Sequence, residues 1–358
     1  MSEGGLEVTE LNTSHLSEDS SVSIKKRIFS LPTLLSFVTA VCLIYFLTSR
    51  FELDWSETGS NIKRLNPLTY IGAFLIYYSS FLFRGFRWRY LGLNAWEDRD
   101  ELAQVSSSNK SVPSPMTCSL LILCGWFVNS IAWLRMGDAY RAYAFGSESG
   151  KGFSWSLGTI LAERVLDMVT VATALIISVF LLSRSMESTI SVILLVSAIV
   201  MTVALIGVVV GLFHTGSQIT NILPNRLKGA MLSFKAGAVG SFDRLPLLAG
   251  LGSLGWLMEV LRLWLVVESL GISMGFVLLV VVAVGSSVLS TIPTPGGVGA
   301  VEPGMTALLL LGVNGPEAAA VTLCDRSITY LSVLVIGGLI FFIRQTGYFS
   351  GKKTSSAR

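Results

Sequence analysis

The sequence predicts an all-α fold: a polytopic membrane helical bundle with about six full spans plus two opposed re-entrant helical hairpins. Three observations predict it: the composition, a series of long charge-free segments, and a proline- and glycine-rich break inside an apolar stretch. Of the 358 residues, 52% are hydrophobic and 14% are charged, whereas soluble domains carry about 25% charged residues. The chain is therefore apolar enough to lie largely within a bilayer.

The charge-free segments supply the candidate spans, because a helix needs about 20 apolar residues to cross a bilayer. Segments without Asp, Glu, Lys or Arg are residues 28–49, 65–83, 111–134, 168–183, 188–225, 269–301 and 327–343. Residues 245–270 make a further candidate, which only Glu259, Arg262 and Glu268 interrupt.

The placement of Lys and Arg residues predicts the topology, since these residues are in excess on the cytoplasmic side. If every segment crossed fully, the excess would fall on the wrong side. If residues 117 to about 150 and residues 273–312 are re-entrant hairpins, sixteen of the 26 Lys and Arg residues lie inside and four outside. We therefore expect a multi-pass protein of the cell membrane with both termini in the cytoplasm.

The ends of the chain differ from its middle in charge. Residues 1–24 hold five acids and no Lys or Arg, which predicts a disordered acidic tail rather than a cleaved signal peptide. Residues 25–345 form the predicted transmembrane domain, and residues 346–358 a basic cytoplasmic tail. The four cysteines, Cys42, Cys118, Cys124 and Cys324, lie in apolar segments without metal-site spacing, so we interpret them as core residues and expect no metal or cofactor.

A broken helix is predicted where the charge-free stretch from Ser269 to Val301 ends before Glu302. The residues that break it are Pro293, Pro295, Gly296, Gly297 and Gly299. Proline removes a backbone donor, and glycine permits conformations closed to other residues. Irregular backbone survives inside a bilayer only where protein or a water-filled cavity covers it, so this motif predicts a binding or translocation site.

Charged residues within apolar segments also predict a binding or translocation site. Glu163 and Asp167 share a helix face, and Arg164 is placed to neutralise Asp167. Near a bilayer centre such residues cost about 2.5 to 3.5 kcal/mol each, and they face a polar cavity or a partner. Two further sets, Glu259 with Arg262 and Asp325 with Arg326, fit either a polar cavity or structural ion pairs that lock helices together.

Arg135, Asp138 and Arg141 form a second polar cluster around Gly137. Two guanidiniums six residues apart could hold a phosphate or phosphodiester through bidentate hydrogen bonds. The alternative is an interfacial turn with snorkelling arginines. Basic and aromatic residues also alternate in residues 84–90, at a span end, and there we favour an interfacial anchor.

Together these motifs resemble those of the lysylphosphatidylglycerol synthase transmembrane family, also described as flippase-like. The resemblance covers about residues 28–345, and its motifs are residues 84–90, Asn129 with residues 135–141, residues 163–167, residues 293–302 and Asp325–Arg326. Relatives often carry a proline just before the basic residue of the Gly-Asp motif, where this chain has Trp133 and Leu134. No aminoacyltransferase follows the membrane segment, so we do not expect lysyl-lipid synthesis.

The resemblance implies a lipid transporter, not an enzyme, that moves an anionic lipid between leaflets, with aminoacylated and polyprenyl-phosphate-linked lipids as candidates. We expect membrane lipids as partners and no nucleic acid. The predicted substrate-binding residues are Arg135, Asp138, Arg141, Glu163, Arg164, Asp167, Glu302 and Arg326. Two other functions stay open: a membrane enzyme or accessory protein in lipid-linked glycan synthesis, and a small-ion or solute transporter.

Overall fold

The computed structural model describes residues 54–97, 111–182 and 224–355, with a few isolated helical positions between 196 and 211. These residues fall within one compact unit, Glu52–Arg358. Helices joined by turns make up this part of the chain, and no strand occurs in it. The predicted all-α class is confirmed.

Eleven α-helices are described in these ranges. They are α1 (Trp55–Lys63), α2 (Pro67–Glu97), α3 (Pro115–Ile131), α4 (Met136–Ser149), α5 (Phe153–Leu182), α6 (Asn225–Val239), α7 (Leu245–Ser269), α8 (Phe276–Leu289), α9 (Val301–Leu309), α10 (Gly315–Arg326) and α11 (Gly338–Ser355). Two π-helical turns, Ser327–Leu331 and Val333–Gly337, join α10 to α11. Short 3₁₀ turns lie at Gly240–Phe242 and Pro295–Gly297.

Helix length separates candidate spans from shorter elements. The helices Leu245–Ser269 and Gly315–Thr346 are long and apolar enough to cross a membrane. By contrast, α3 has 17 residues and α8 has 14. At about 1.5 Å per residue, neither helix reaches across the roughly 30 Å hydrocarbon core. This length is what a leg of a re-entrant hairpin requires.

The first hairpin consists of α3 and α4, joined by residues 132–135. Its turn places Leu134 and Arg135 in the left-handed region, with φ of 57° and 54°. The side chain of Asn129 accepts a hydrogen bond from the Gly137 N–H at 2.7 Å. These residues therefore form a helical hairpin, and left-handed residues make its bend.

The second hairpin consists of α8 and α9, and the proline- and glycine-rich motif lies between them. Gly296, Gly297 and Gly299 all have positive φ, at 59°, 69° and 82°. The Glu302 carboxylate accepts the Gly299 N–H at 2.8 Å, which satisfies one donor that the break leaves free. The chain therefore leaves the α-helix between Leu289 and Val301, where these residues were predicted to break it.

The two hairpins meet. The Pro295–Gly297 turn packs against α3, and the Tyr330 hydroxyl donates to the Ser130 carbonyl at 3.5 Å. A Cβ at Gly296 would lie 2.3 Å from the Tyr330 ring, so only glycine allows this approach. Both irregular segments consequently occupy one region of the bundle.

The apolar core extends along α2, which packs most extensively on α7 and α3. Phe145 stacks on Trp88 and on Trp155, with ring centroids 4.3 and 5.9 Å apart. Cys118, Cys124 and Cys324 are buried free thiols, as the core interpretation requires. Several predictions lie outside the described residues: those for the acidic tail 1–24, Cys42, residues 28–49 and most of residues 188–225. Helix α11 runs to Ser355, so the predicted basic tail begins within a helix.

The tight packing of the first hairpin predicts that Gly137→Ala destabilises the protein. A Cβ at Gly137 would lie 1.9 Å from the Gly125 carbonyl oxygen, and overpacking of this kind costs about 1 to 3 kcal/mol. Thermal unfolding of the purified protein in detergent should show a lower melting temperature. Gly250→Ala is the control, because no atom lies within 4 Å of a Cβ there. Equal melting temperatures for the two variants would contradict the described hairpin packing.

Candidate functional site

A cavity of about 380 Å³ lies where the two hairpins meet. Its walls come from α2, α3, α5, α7, α8 and α10, together with both irregular segments. Eight charged side chains line it: Arg84, Arg135, Arg164, Asp167, Glu259, Arg262, Asp325 and Arg326. The sequence of this chain therefore collects five guanidiniums and three carboxylates around one central space.

Behind one wall, Glu163 forms the centre of a buried ion network. Its carboxylate accepts hydrogen bonds from Arg141 at 2.6 Å and from Arg87 at 3.2 Å. The side chains of Arg87, Arg141 and Glu163 are each at most 3% exposed. These three groups tie α2, α4 and α5 together but do not line the cavity themselves.

Two further carboxylates, those of Asp138 and Asp167, extend this network toward the cavity. Asp138 lies 3.1 Å from Arg164, 3.4 Å from Arg135 and 3.6 Å from Arg141. Asp167 lies 2.8 Å from Arg87 and 3.7 Å from Arg164. The side chains of Arg135 and Arg164 are 30% and 31% exposed, so they are the accessible members of the network.

The balance of charge in this network is uneven. Among the described residues, four guanidiniums share three carboxylates: Arg87, Arg135, Arg141 and Arg164 against Asp138, Glu163 and Asp167. One positive charge is left over, and it lies on the side of the network that faces the cavity. An anion in the cavity would balance it.

A second chain of ion pairs is neutral. Glu259 binds Arg84 at 2.9 Å and Arg262 at 3.2 Å, and Arg262 continues to Asp325. These four groups link α2, α7 and α10, which supports the ion-pair interpretation of Glu259 with Arg262. The same groups also line the cavity, so they have a structural role and belong to the candidate site as well.

Arg326 ties the broken helix to α10. It donates to the Glu302 carboxylate at 2.7 Å and to the Gly296 carbonyl at 2.9 Å. Its guanidinium also lies over the Tyr330 ring, 4.8 Å from the centroid. One side chain thus satisfies a carbonyl that the break exposes and holds the first turn of α9.

The predicted site residues occupy two shells around the cavity. Its wall includes four of them, namely Arg135, Arg164, Asp167 and Arg326. Of the other four, Asp138, Glu163 and Glu302 each pair with an arginine, and Arg141 pairs with Asp138 and Glu163. The eight residues therefore come together around a single space.

The prediction that residues 84–90 form an interfacial anchor is wrong for Arg84 and Arg87. Arg84 lines the cavity and Arg87 is 2% exposed within the ion network, whereas an interfacial anchor would leave both at the membrane surface. Their spacing of three residues puts both on one face of α2, which is the signal that could have identified them. Arg89, which lies in the same basic and aromatic segment, instead donates hydrogen bonds to the carbonyls of Val112 and Pro113.

Residues 33–337 match the protein family described as the lysylphosphatidylglycerol synthase TM region. This match includes both hairpins and every residue of the two ion clusters. A UPF0104 membrane protein of Methanocaldococcus jannaschii is 31% identical over 223 residues, which cover 61% of this chain and 94% of that protein. A UPF0104 membrane protein of Pyrococcus horikoshii is 24% identical over 232 residues, covering 57% of this chain and 69% of that protein.

The buried network predicts a large loss of stability for Glu163→Gln. Removing one partner of a buried ion pair costs about 3 to 5 kcal/mol, because the remaining charges stay buried without compensation. Here the substitution leaves Arg87 and Arg141 with one carboxylate fewer. Thermal unfolding in detergent should show a clearly lower melting temperature than for the wild type.

Glu57→Gln serves as the matched control, since Glu57 is an exposed carboxylate in the first turn of α1. An exposed carboxylate contributes at most about 1 kcal/mol. If both substitutions shift the melting temperature equally, the network does not hold the helices together.

Proposed function

The chain belongs to the lysylphosphatidylglycerol synthase TM-region family and is embedded in a membrane, and we propose that it moves an anionic lipid between the two leaflets. The proposal assigns it to the cell membrane, with both termini in the cytoplasm, as a transporter and not an enzyme. The observation that carries it is the cavity between the hairpins, where the guanidiniums outnumber the carboxylates.

Charge is the first argument for an anionic ligand. An unmatched guanidinium within an apolar bundle is costly, and such groups mark substrate pathways in membrane proteins. Arg135 and Arg164 are the most exposed members of the network. A guanidinium binds a phosphate group through two parallel hydrogen bonds, so a phosphate placed between these two side chains would balance the excess charge.

Size is the second argument. Ligand pockets in proteins span about 300 to 1,000 Å³, and this cavity of about 380 Å³ lies near the lower limit. It suits the polar head of a lipid, but not a head with two full acyl chains. In the proposed mechanism the head group crosses through the cavity while the chains remain in the bilayer.

The hydrogen bonds between Arg326 and the broken helix offer a way for a bound ligand to change the conformation of the protein. Arg326 holds both Glu302 and the Gly296 carbonyl, and a phosphate would compete with these acceptors. A ligand shifts a conformational equilibrium only through different contacts in the two states. In the proposed cycle, the anion takes over Arg326 and releases the α8–α9 hairpin. The adjoining π-helical turns fit this role, because π-helices are frequent at functional sites.

Arg135→Gln should slow lipid movement without unfolding the protein. Among the described residues its one ion-pair partner is Asp138, at 3.4 Å, so we expect the substitution to have little effect on folding. Losing a hydrogen bond to a charged group costs about 1.5 to 3 kcal/mol, which corresponds to a rate roughly 10 to 150 times lower. The assay uses vesicles containing phosphatidylglycerol labelled on an acyl chain, and it measures how fast the inner-leaflet label becomes accessible to an external quencher.

Two variants complete this test. Arg135→Lys keeps the charge but loses bidentate binding, so its rate should fall between those of Arg135→Gln and the wild type. Arg64→Gln removes an exposed arginine at the end of α1, away from the cavity, and should move lipid at the wild-type rate. Equal rates for Arg135→Gln and Arg64→Gln, or for wild-type and protein-free vesicles, would exclude the proposed function.

A further inference from the structure

The chain repeats one order of helices in its two halves. Each half begins with a long helix, α2 or α7, and continues with a hairpin of two short helices, α3–α4 or α8–α9. A further helix follows, and it carries an acid directly before an arginine: Glu163–Arg164 in α5 and Asp325–Arg326 in α10. The two halves therefore present the same kinds of elements, and the same type of dipeptide, at the same step.

The ion pairs repeat in the same way. In each half, the arginine of the dipeptide donates to a carboxylate in the first turn of the hairpin's second helix. Arg164 binds Asp138 at 3.1 Å, and Arg326 binds Glu302 at 2.7 Å. These two pairs are here named the first latch and the second latch.

The acid of each dipeptide also has an equivalent partner. Glu163 accepts a hydrogen bond from Arg87 of α2 at 3.2 Å, and Asp325 accepts one from Arg262 of α7. Each latch is therefore joined, through the neighbouring acid, to the first helix of its own half.

The first helices of the two halves meet each other through equivalent residues. Their contacts include Tyr77 with Arg262, Arg84 with Glu259, and Arg87 with Gly252. A shift of 175 residues, which is the separation of Arg84 and Glu259, carries the three α2 positions onto the three α7 positions. When one residue contacts a second and their equivalents make the same contact, the two surfaces are related as by a two-fold axis.

Helix directions show that the second half is inverted relative to the first. Residue numbers rise along α2 as they fall along α7 and along α5, whereas they rise together along α2 and the π-helical extension of α10. The contacts are Trp96 with Trp155 and Arg87 with Asp167 for α5, and Tyr70 with Ser327 and Tyr78 with Ser332 for that extension. Hence α5 runs opposite to α10 just as α2 runs opposite to α7. This is the geometry of inverted repeats.

The two latches differ in their hydrogen bonds. Arg326 also donates to the Gly296 carbonyl, in the turn of its hairpin, at 2.9 Å, and its side chain is 11% exposed. The side chain of Arg164 is 31% exposed, and its buried Nε has no hydrogen-bond partner among the described residues. The second latch is therefore fastened to a turn carbonyl, whereas the first has a donor left over.

We infer that residues 67–182 and 245–326 are inverted repeats whose latches close alternately. In a second conformation Arg326 releases the Gly296 carbonyl, and Arg164 donates to a carbonyl of the α3–α4 turn. Both arginines are positioning residues, since each sets the position of one hairpin. Equivalent contacts hold both halves, so a small bias shifts the population between the two conformations. The use of this alternation in transport rests on the proposed function, while the repeat stands on the contacts alone.

Hydrogen–deuterium exchange of the full chain in detergent tests the alternation, because amide exchange reports how often a segment opens. Arg326→Gln removes the bond to the Gly296 carbonyl, so residues 293–299 should exchange roughly tenfold faster or more. The α3–α4 turn should exchange more slowly, since the population shifts toward the conformation in which Arg164 holds it. Removal of a purely structural arginine would not protect the opposite hairpin.

Arg164→Gln should give the opposite pattern, with faster exchange in residues 132–135 and slower exchange in residues 293–299. The double variant should return the difference between the two segments toward that of the wild type. Arg326→Lys keeps the charge but loses bidentate binding. Its changes should be smaller than those of Arg326→Gln and in the same direction, and it replaces the glutamine variant if that variant unfolds.

Arg89→Gln is the matched control. Arg89 also donates to two backbone carbonyls, those of Val112 and Pro113 at 3.0 and 2.6 Å, and it lies outside the cavity lining. Its removal should leave exchange in both turn segments unchanged. Faster exchange of both segments in the Arg326 or Arg164 variant, changes confined to the hairpin of the substituted arginine, or no change at all would overturn the inference.

The vesicle assay distinguishes failure of this inference from failure of the proposed function. Opposite exchange changes in the two hairpins without lipid movement would leave the alternating latches in place and exclude transport. Lipid movement with both segments loosened together would retain the transport proposal and overturn the alternation.

Discussion

The fold of this protein depends on pairing charges inside an apolar bundle. Within a membrane, apolar packing between helices gives little preference for one partner over another, because lipid tails are as apolar as leucine. A buried guanidinium, by contrast, requires a carboxylate. Glu163 therefore fixes α2, α4 and α5 together, and the Arg262–Asp325 pair fixes α7 to α10. The ion pairs therefore favour particular helix neighbours over others.

Features with a local cause could be predicted from the sequence. The helix break followed from proline and glycine chemistry at residues 293–299, and the structure shows positive φ at Gly296, Gly297 and Gly299. The α3–α4 hairpin followed from the charge distribution combined with a segment that ends in a polar cluster. Asp138 pairs with Arg135 and with Arg141, each three residues away, so their spacing alone indicated one site.

Features set by distant partners could not be predicted in this way. Arg84 and Arg87 find their carboxylates 175, 76 and 80 residues away, and a run of basic and aromatic residues has the same composition at an interface as in a buried network. Asp325 and Arg326 are adjacent, yet they bind different partners, Arg262 and Glu302. Neighbouring helical residues point about 100° apart, so adjacency suggested a pair where the structure has two separate ties.

Arg135 is the member of the ion network that the fold requires least. Its backbone is left-handed, a conformation that costs a non-glycine residue about 1 to 2 kcal/mol. Within the part of the chain that the structure describes, its side chain has a single ion-pair partner, Asp138 at 3.4 Å. The three carboxylates of its network already have three buried or better-placed guanidiniums, those of Arg87, Arg141 and Arg164. Packing and charge balance would both be served by a smaller, uncharged residue at this turn. Strain of this kind concentrates at functional sites. A strained arginine in a network with one surplus positive charge, at the edge of the cavity, is what the proposed binding of an anion requires.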